Sequence, residues 1–262
     1  MSLVLQNIAQ AVRKKVELRK QALPLSKLQE KFPSKRIPLG FFKYFKADSI
    51  NIIAEIKYQS PSEGNLKQTL GPVPLAAEYI NSGARALSIL TEEDHFGGKI
   101  GNLVAVRREF QKTPLLMKDF FIDEYQIYEA ALAGADAILL IVALLDKATL
   151  VKFMNLAETL GLECLVEVHS EEELTVAKSI RAQLVGINNR NLKTLEVTMD
   201  IARSLAPLAP DFATLICESG ISNGEQIKEL RALGFSGFLV GSSLMKNASP
   251  GEALAALLKG AP

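Results

Sequence analysis

The sequence has only two cysteines, Cys164 and Cys217, and both lie within apolar stretches. A disulfide-stapled domain or a structural zinc site needs several cysteines or histidines at regular spacings. We therefore expect both thiols to be small buried hydrophobic groups, and the sequence predicts neither a disulfide framework nor a metal site.

The sequence also lacks an excess of charge of either sign, since 30 Lys and Arg residues are balanced by 29 Asp and Glu residues. A general nucleic-acid-binding protein normally carries a basic excess, so no nucleic-acid partner is expected. A balanced total does not argue against a small anionic ligand, because such a ligand responds to local charge.

Long hydrophobic runs are absent as well. No apolar run reaches the ~18 residues of a membrane-spanning helix, so no membrane partner is expected. Residues 1–21 have the pattern of an amphipathic helix interrupted by charges. They lack the continuous apolar core and the small-residue cleavage site of a secretory signal. The sequence therefore predicts a cytoplasmic protein.

Eight short apolar stretches alternate with amphipathic stretches from Asn51 onward. The predicted strands are Asn51–Lys57, Ala86–Leu90, Pro114–Lys118, Ala137–Val142, Glu163–Val168, Gln183–Asn188, Thr214–Glu218 and Gly237–Gly241. The predicted helices are Pro74–Asn81, Asn102–Gln111, Glu124–Ala133, Lys147–Leu160, Ser170–Ser179, Met199–Leu205, Gly224–Leu233 and Glu252–Leu258. Regular alternation implies parallel strands joined by right-handed crossovers. Because an open doubly wound sheet usually has about five to seven strands, eight repeats favour an α/β fold closed into a (β/α)8, or TIM, barrel.

Residues 1–50 precede the first predicted strand. They have the pattern of one long helix followed by a connector that contains Pro24, Pro33 and Pro38. We expect this N-terminal helical extension to cover an end of the barrel. No linker-like stretch separates a second domain, so residues 1–262 are interpreted as a single (β/α)8-barrel domain.

Ionisable residues concentrate where the predicted strands end, which is where (β/α)8 barrels hold their active sites. Glu55 and Lys57 are two residues apart and share one face of the first strand. Lys118 ends the third strand, and the alternation of the fifth strand turns Glu163 and Glu167 inward. Charges inside a barrel are costly unless they are paired, so a purely stabilising ion-pair network is one interpretation. Their joint position at ligand-facing ends favours an active site.

Two small, glycine-containing turns follow the seventh and eighth strands: Glu218-Ser219-Gly220-Ile221 and Gly241-Ser242-Ser243. Barrels often bind phosphate at these two loops through backbone N–H groups and a short helix N-terminus. Either turn alone is a weak signal, but their joint placement predicts a phosphate site.

Two other features are ambiguous. His95 and His169 could form an acid–base pair, but they share no informative spacing, so we expect each to lie at the surface or behind the site. The acidic residues of 91–98 could suggest a cation site. We favour a solvated, mobile loop in which Phe96 can stack on a flat ligand.

Six stretches between about Ile52 and Pro250 resemble, in order, the signatures of indole-3-glycerol-phosphate synthases: Ile53–Lys57 with Ser60-Pro61-Ser62 and Gly64, Leu116–Phe120, Leu165–His169, Gly186–Leu192, Glu218–Ile221 and Leu239–Ser242. Any one stretch alone would be unspecific. The departures from the family pattern are Tyr58-Gln59, Glu63 in place of a common Lys, and Lys99-Ile100-Gly101. They lie beside the motif positions and concern the loops more than the reaction.

The resemblance implies a reaction of tryptophan biosynthesis. It converts 1-(2-carboxyphenylamino)-1-deoxyribulose 5-phosphate into indole-3-glycerol phosphate, carbon dioxide and water, and it classes the chain as a carboxy-lyase. No cofactor is implied, because the nitrogen of the substrate itself can accept the electrons. A phosphorylated small molecule is the expected partner. A monomer is expected, and association with other enzymes of the pathway stays open.

The resemblance also implies residue roles. Lys118 would protonate the alkoxide formed on ring closure, with a pKa lowered by desolvation, and Glu167 would be the base. Lys57 would hold the substrate carboxylate, while Glu55 and Asn188 orient the lysines and the substrate. Which lysine protonates the departing hydroxyl is left open. The expected substrate-binding residues, the phosphate contacts among them, are Ser60, Phe96, Arg190, Glu218, Ser219, Gly220, Gly241 and Ser242.

Two alternatives remain. A phosphosugar isomerase on the same barrel, such as phosphoribosylanthranilate isomerase, would share the phosphate loops. It would use a Cys–Asp pair and would have no evident use for two lysines in the barrel. A non-enzymatic barrel that binds a phosphorylated metabolite would tolerate loss of either lysine or of Glu167. Formation of a fluorescent indole separates the synthase from both.

Overall fold

The computed structural model describes residues 2–32, 38–45, 49–66, 68–192 and 194–261. Eight parallel strands form a closed barrel in which each strand pairs with its neighbours in the sequence and the last pairs with the first. The barrel strands are β1 Ile52–Ile56, β2 Ala86–Leu90, β3 Leu115–Lys118, β4 Ala137–Ile141, β5 Glu163–Val168, β6 Leu184–Asn188, β7 Thr214–Glu218 and β8 Phe235–Val240. The predicted (β/α)8 fold is confirmed.

Helices surround the barrel. They are α1 Leu3–Ala22, α2 Leu25–Glu30, α3 Pro72–Asn81, α4 Ile100–Glu109, α5 Glu124–Ala133, α6 Lys147–Thr159, α7 Glu171–Ser179, α8 Asp200–Leu205, α9 Gly224–Ala232, α10 Ser242–Met245 and α11 Pro250–Lys259. Several begin at side chains that accept hydrogen bonds from backbone N–H groups of the first turn, as Asp123 does for α5 and Asn223 for α9. No helix within the described ranges is both long and apolar enough to cross a membrane.

The core has two layers because side chains of each strand alternate between the barrel interior and the helices. In β5, Val166 and Val168 pack in the outer layer, whereas Leu165 packs in the interior. Glu167 therefore points into the barrel, as the alternation predicts. Its carboxylate reaches the carboxyl end of the strands, where it can contact a ligand.

The N-terminal extension contacts both ends of the barrel, whereas the sequence analysis placed it at one. Phe41 and Phe45 pack into the interior cluster, and the backbone N–H of Phe42 donates to Glu163 at the start of β5. At the other end, α1 packs its apolar face against Tyr125. A second short helix, α2, interrupts the predicted connector, and Pro33 of that connector lies outside the described residues.

Sequence periodicity did not show a small antiparallel hairpin after β1, in which Gln59–Ser60 pairs with Gly64–Asn65. Its strands are two residues each, too short for an alternating pattern to emerge. The hairpin lies beside the cavity at the carboxyl end of the barrel, because Ser60 and Glu63 line that cavity.

Candidate active site

The carboxyl ends of the strands surround a cavity of about 330 Å³. This volume lies at the lower end of the range of ~300–1,000 Å³ that is usual for small-molecule sites. The cavity has three parts. Its ionic floor is formed by Glu55, Lys57, Lys118 and Glu167, its apolar wall by Phe96, Phe120 and residues of α1, and its polar end by the turns after β7 and β8. Its chemical character therefore changes from one side to the other.

Two lysines of the floor are each paired with carboxylates. Lys57 Nζ lies 2.9 Å from Glu55 Oε1, and both side chains are almost buried. Lys118 Nζ bonds to Glu218 and lies 3.4 Å from Glu167 Oε2. The pairing satisfies charges that would be costly if they were buried alone.

The Lys118 ammonium keeps its proton. Burial by itself lowers the pKa of Lys118, but the carboxylates of Glu218, Glu167 and Glu55 outweigh burial and raise that pKa above its usual value. The sequence-based expectation of a lowered pKa is therefore wrong, because it counted desolvation and omitted the three carboxylates that surround the amine. The lysine is a proton donor across the neutral range.

The two carboxylates beside Lys118 differ in pKa. Burial raises the pKa of Glu167, yet Lys118, His169 and Asn188 together lower it well below the usual range. For Glu218, burial and the neighbouring charge of Glu167 raise the pKa to about 7 despite Lys118. Glu167 is therefore ionised at neutral pH, and the pKa of Glu218 is the higher of the two because Glu218 is buried beside a second carboxylate that shares the same ammonium group.

His169 supports Glu167 from behind. Its Nε2 lies 3.2 Å from Glu167 Oε1, and its Nδ1 lies 3.1 Å from Glu173 Oε2. Burial lowers the pKa of His169, but these two carboxylates raise it to about 9. His95 instead contacts Glu92 at 3.1 Å, so the two histidines have separate carboxylate partners.

The polar end of the cavity consists of the two predicted turns with Arg190 and Lys246. Ser219 has a φ of 65° and Gly220 a φ of 85°, so both occupy the left-handed region. A non-glycine residue in that region is strained, and such strain is concentrated at functional sites. The Arg190 guanidinium is oriented by donating to the carbonyl of Leu195 over 2.8 Å.

Gly241 belongs to two parts of the site. A Cβ atom at this position would lie 2.5 Å from Oε1 of Glu55, the oxygen that pairs with Lys57. Replacing Gly241 with a larger residue would therefore disturb the ionic floor as well as any phosphate bound at the turn. A substitution here cannot by itself report on phosphate binding.

The opposite wall of the cavity is apolar. The rings of Phe96 and Phe120 lie 5.8 Å apart between centroids, and Val4, Leu5 and Ile8 of α1 complete the wall. The sequence analysis did not predict that α1 forms part of the cavity wall. Its apolar residues recur at helical spacing, which shows that one face is buried but does not show which partner buries it.

The loop after β2 is fastened rather than freely solvated. The Glu92 side chain is buried and accepts hydrogen bonds from the backbone N–H groups of Asp94, His95 and Phe96. Lys15 of α1 lies 2.7 Å from both Glu93 and Asp94. The acidic run therefore holds the loop and α1 together. No metal-binding group of three or more His, Cys, Asp or Glu residues occurs in the described part of the chain.

The structure brings together twelve of the thirteen predicted site residues at the cavity wall. These are Glu55, Lys57, Ser60, Phe96, Lys118, Glu167, Asn188, Arg190, Ser219, Gly220, Gly241 and Ser242. Glu218, predicted to bind the substrate, is buried beneath Lys118 instead of forming part of that wall. Glu63 and Lys246 also line the cavity. The sequence analysis named Glu63 only as a departure from the family pattern and did not name Lys246, because neither residue lies at a strand end.

Solved structures similar to this barrel show the fold. The 3-hexulose-6-phosphate synthase of Salmonella typhimurium aligns with a TM-score of 0.64 and 14% sequence identity, over 80% of this chain and 98% of that one. Tryptophan synthase subunit alpha of Legionella pneumophila aligns with a TM-score of 0.61 and 15% identity, over 86% and 99% of the two chains.

Sequence comparisons identify the family. The family model described as indole-3-glycerol phosphate synthase matches residues 5–257. A protein of that name from Carboxydothermus hydrogenoformans is 42% identical over 262 residues, which covers 97% of this chain and 99% of the relative. Another from Bacteroides thetaiotaomicron is 41% identical over 256 residues, which covers 98% of each chain. The chain therefore belongs to the indole-3-glycerol phosphate synthase family.

Proposed function

We propose that the ionic floor around Lys118 closes the indole ring of 1-(2-carboxyphenylamino)-1-deoxyribulose 5-phosphate. The family carries out this decarboxylative ring closure, so the chain is a lyase of tryptophan biosynthesis. The observation that carries the residue assignment is the Lys118 ammonium, held between Glu167 and Glu218 at the bottom of the cavity.

Ring closure needs a proton donor. The carbon that bears the substrate carboxylate attacks the ketone, and the ketone oxygen becomes an alkoxide. Lys118 donates a proton to that oxygen, because three carboxylates keep the ammonium charged beforehand. An alkoxide is far more basic than an amine, so the transfer is favourable even from a lysine of raised pKa.

Decarboxylation needs an electron acceptor. The substrate nitrogen supplies it, since attack by the ring leaves an iminium within the substrate, and loss of carbon dioxide returns the electrons to the aromatic ring. Lys57 is the cation we assign to the carboxylate before it leaves, and Glu55 holds Lys57 in place at 2.9 Å.

Dehydration then removes one proton and one hydroxyl group. Glu167 is ionised in the free protein and contacts both Lys118 and His169, so it is available to take the proton from carbon. The hydroxyl leaves as water after it receives a proton from one of the two lysines. Asn188 orients Glu167 through its side-chain hydrogen bond.

Substrate placement follows the polarity of the cavity. The aromatic ring fits the apolar wall of Phe96, Phe120 and α1, and Ser60 lies on the hairpin that borders the floor. The phosphate fits the opposite end, where Arg190, Ser219, Gly220, Gly241 and Ser242 line the cavity. This arrangement sets the reacting carbons above Lys118. Glu218 acts on the substrate through Lys118.

The test is to supply the carboxyphenylamino-deoxyribulose phosphate and to follow carbon dioxide release together with the indole absorption and fluorescence. We expect both signals in equal amounts from the parent protein and a large loss of both in Lys118→Met. The matched control is Lys152→Met, since Lys152 is an exposed lysine that pairs with Glu124 on the outer helices. Absence of both signals from the parent would exclude the proposal.

Three further properties are proposed along with this activity: a single domain, a monomeric state and a location in the cytoplasm. Sedimentation of the purified chain tests the monomeric state, and a stable dimer would contradict it. Association with other enzymes of tryptophan biosynthesis would appear as a faster-sedimenting species when such enzymes are added.

A further inference from the structure

A carboxylate occupies the polar end of the cavity. Glu63, in the turn of the hairpin after β1, accepts a hydrogen bond from the Ser242 hydroxyl through Oε2. Its other oxygen, Oε1, lies 2.5 Å from Lys246 Nζ. Both oxygens of Glu63 are therefore bound by groups of the segment that follows β8.

The hairpin is held in a way that fixes the position of Glu63. Gln59 pairs with Asn65 across the hairpin, and the Gln59 side chain donates to the carbonyl of Asp94 over 2.8 Å. The backbone N–H of Glu63 donates to the Ser60 carbonyl over 3.3 Å. One side of the hairpin is thus fastened to the loop after β2, and Glu63 fastens the other side to α10.

Glu63 carries its negative charge at neutral pH. Burial raises its pKa, but Lys246, the Ser242 hydroxyl and the more distant Lys57 outweigh burial and lower it. A carboxylate bound by one hydroxyl and one ammonium group presents the same acceptor chemistry as two oxygens of a phosphate.

We propose that Lys246 is a phosphate ligand and that Glu63 occupies its place until the phosphate of the substrate arrives. This inference rests on the proposed function, which puts the phosphate at the turns after β7 and β8. The phosphate displaces the Glu63 carboxylate from Ser242 and Lys246, and the hairpin loses its link to α10. On product release Glu63 returns and restores the link.

The exchange favours the phosphate because of charge. A phosphate monoester carries about −1.5 to −2 charges near pH 7 and three acceptor oxygens, whereas Glu63 carries one charge and two oxygens. The displaced carboxylate nevertheless lowers the net affinity, since its bonds must first be broken. Removing Glu63 should therefore tighten phosphate binding, while removing Lys246 should weaken it.

Glu63→Gln tests the competition, with inorganic phosphate as the probe and calorimetry as the measurement. We expect the Kd for phosphate to fall about two- to fivefold, the range that corresponds to one partly exposed ion pair. The matched control is Glu229→Gln. Glu229 pairs with Arg203 at 2.6 Å on the outer surface and does not line the cavity, so its loss should leave the Kd unchanged.

Lys246→Met tests whether Lys246 binds the phosphate. We expect a Kd for phosphate raised about two- to fivefold, whereas Lys152→Met should leave it at the parent value. In the double variant Glu63→Gln with Lys246→Met, most of the gain from the first change should disappear, because Glu63 acts chiefly through Lys246. The Gln side chain of the first variant can still accept the hydrogen bond from Ser242. Glu63→Ala removes this acceptor and checks that the retained bond does not mask the effect.

The outcomes separate this inference from the proposed function. If phosphate binds and Arg190→Met weakens it, but neither Glu63 variant tightens it, the displacement is wrong and the phosphate site stands. If Lys246→Met leaves the Kd unchanged, Lys246 is not a ligand. If phosphate does not bind, or binds without regard to Arg190, the placement of the phosphate fails and the displacement fails with it.

Discussion

Gly186 of β6 pairs with Ile216 of β7, and the carboxylate of Glu218, two residues further along β7, fills the space where a side chain at position 186 would begin. A Cβ atom on Gly186 would overlap Oε1 of Glu218 and would also approach Leu165. The missing side chain therefore gives room to the carboxylate that holds Lys118. This glycine is part of the site although it contributes no functional group.

Gly186→Ala should displace Glu218 and, through it, Lys118. We expect a fall in kcat of at least tenfold and a loss of about 1–3 kcal/mol in the free energy of unfolding, the usual cost of overpacking a core. Steady-state indole formation and urea unfolding measure the two effects. The control Gly101→Ala adds a Cβ in helix α4 where no atom lies within 4 Å, so it should leave kcat unchanged and should not lower the free energy of unfolding. Parent-like kcat in Gly186→Ala would show that the position of Glu218 does not matter for turnover.

Glu167→Gln should abolish most turnover, because Gln keeps the size of Glu but cannot accept the proton removed in dehydration. The expected loss is about 10²–10⁴-fold in kcat, typical of a general base. The pKa of His169 should also fall below about 9, since Glu167 is one of the two carboxylates that raise it. NMR titration of the imidazole checks this second effect. Near-normal decarboxylation and dehydration would make Glu167 a structural residue.

The two lysines should differ in kinetics. Lys57 is assigned to a carboxylate that is charged before the reaction starts, and Lys118 to an oxygen that becomes charged only during ring closure. Contacts present throughout lower KM, whereas contacts made in the transition state raise kcat. Lys57→Met should therefore raise KM as well as slow turnover, and Lys118→Met should act mainly on kcat.

A substrate analogue without the ring carboxylate distinguishes the lysines more sharply. Used as a competitive inhibitor, it should bind Lys57→Met as tightly as it binds the parent, because it never had the contact that was lost. Equal losses of affinity for the analogue and for the carboxylated ligand would show that Lys57 contacts another part of the substrate.

Glu129 of α5 should make stability depend on pH. Burial raises its pKa from 4.5 to about 7, although Arg19 of α1 lies 2.9 Å away and opposes the shift. A raised pKa in the folded state adds stability at low pH that is lost as the pH rises through about 7. Relative to Glu129→Gln, the parent should lose on the order of 1–3 kcal/mol of unfolding free energy between about pH 4.5 and pH 8.

Urea unfolding at several pH values measures this dependence. Glu172 supplies a control of opposite sign, because the Ser170 side chain lowers its pKa at the exposed start of α7. In the parent, the ionised Glu172 carboxylate adds stability that is lost as the pH falls. Glu172→Gln lacks this contribution at every pH, so the difference in unfolding free energy between the variant and the parent should shrink at low pH. A parallel pH profile for Glu129→Gln and the parent would mean that the Glu129 carboxyl titrates alike in the folded and unfolded states.

Much of the fold could be predicted from the sequence. The alternation of apolar and amphipathic stretches predicted eight strands whose bounds all agree with the structure within two residues. The predicted helix Glu124–Ala133 agrees at both ends. The hairpin at 59–65 and the helix Leu25–Glu30 escaped detection. Both are too short to repeat a pattern, and their position depends on contacts with the rest of the molecule.

The sequence by itself determined which side chains stand at the carboxyl ends of the strands, because alternation along a strand and the order of the strands are local properties. Only the tertiary structure decided the protonation of Lys118, since its carboxylates come from three different strands that meet when the barrel closes. The same closure gives Glu218 the space beside Gly186 and brings Glu63 to Lys246. Charge and space within a site depend on through-space distances, and no local pattern along the chain records them.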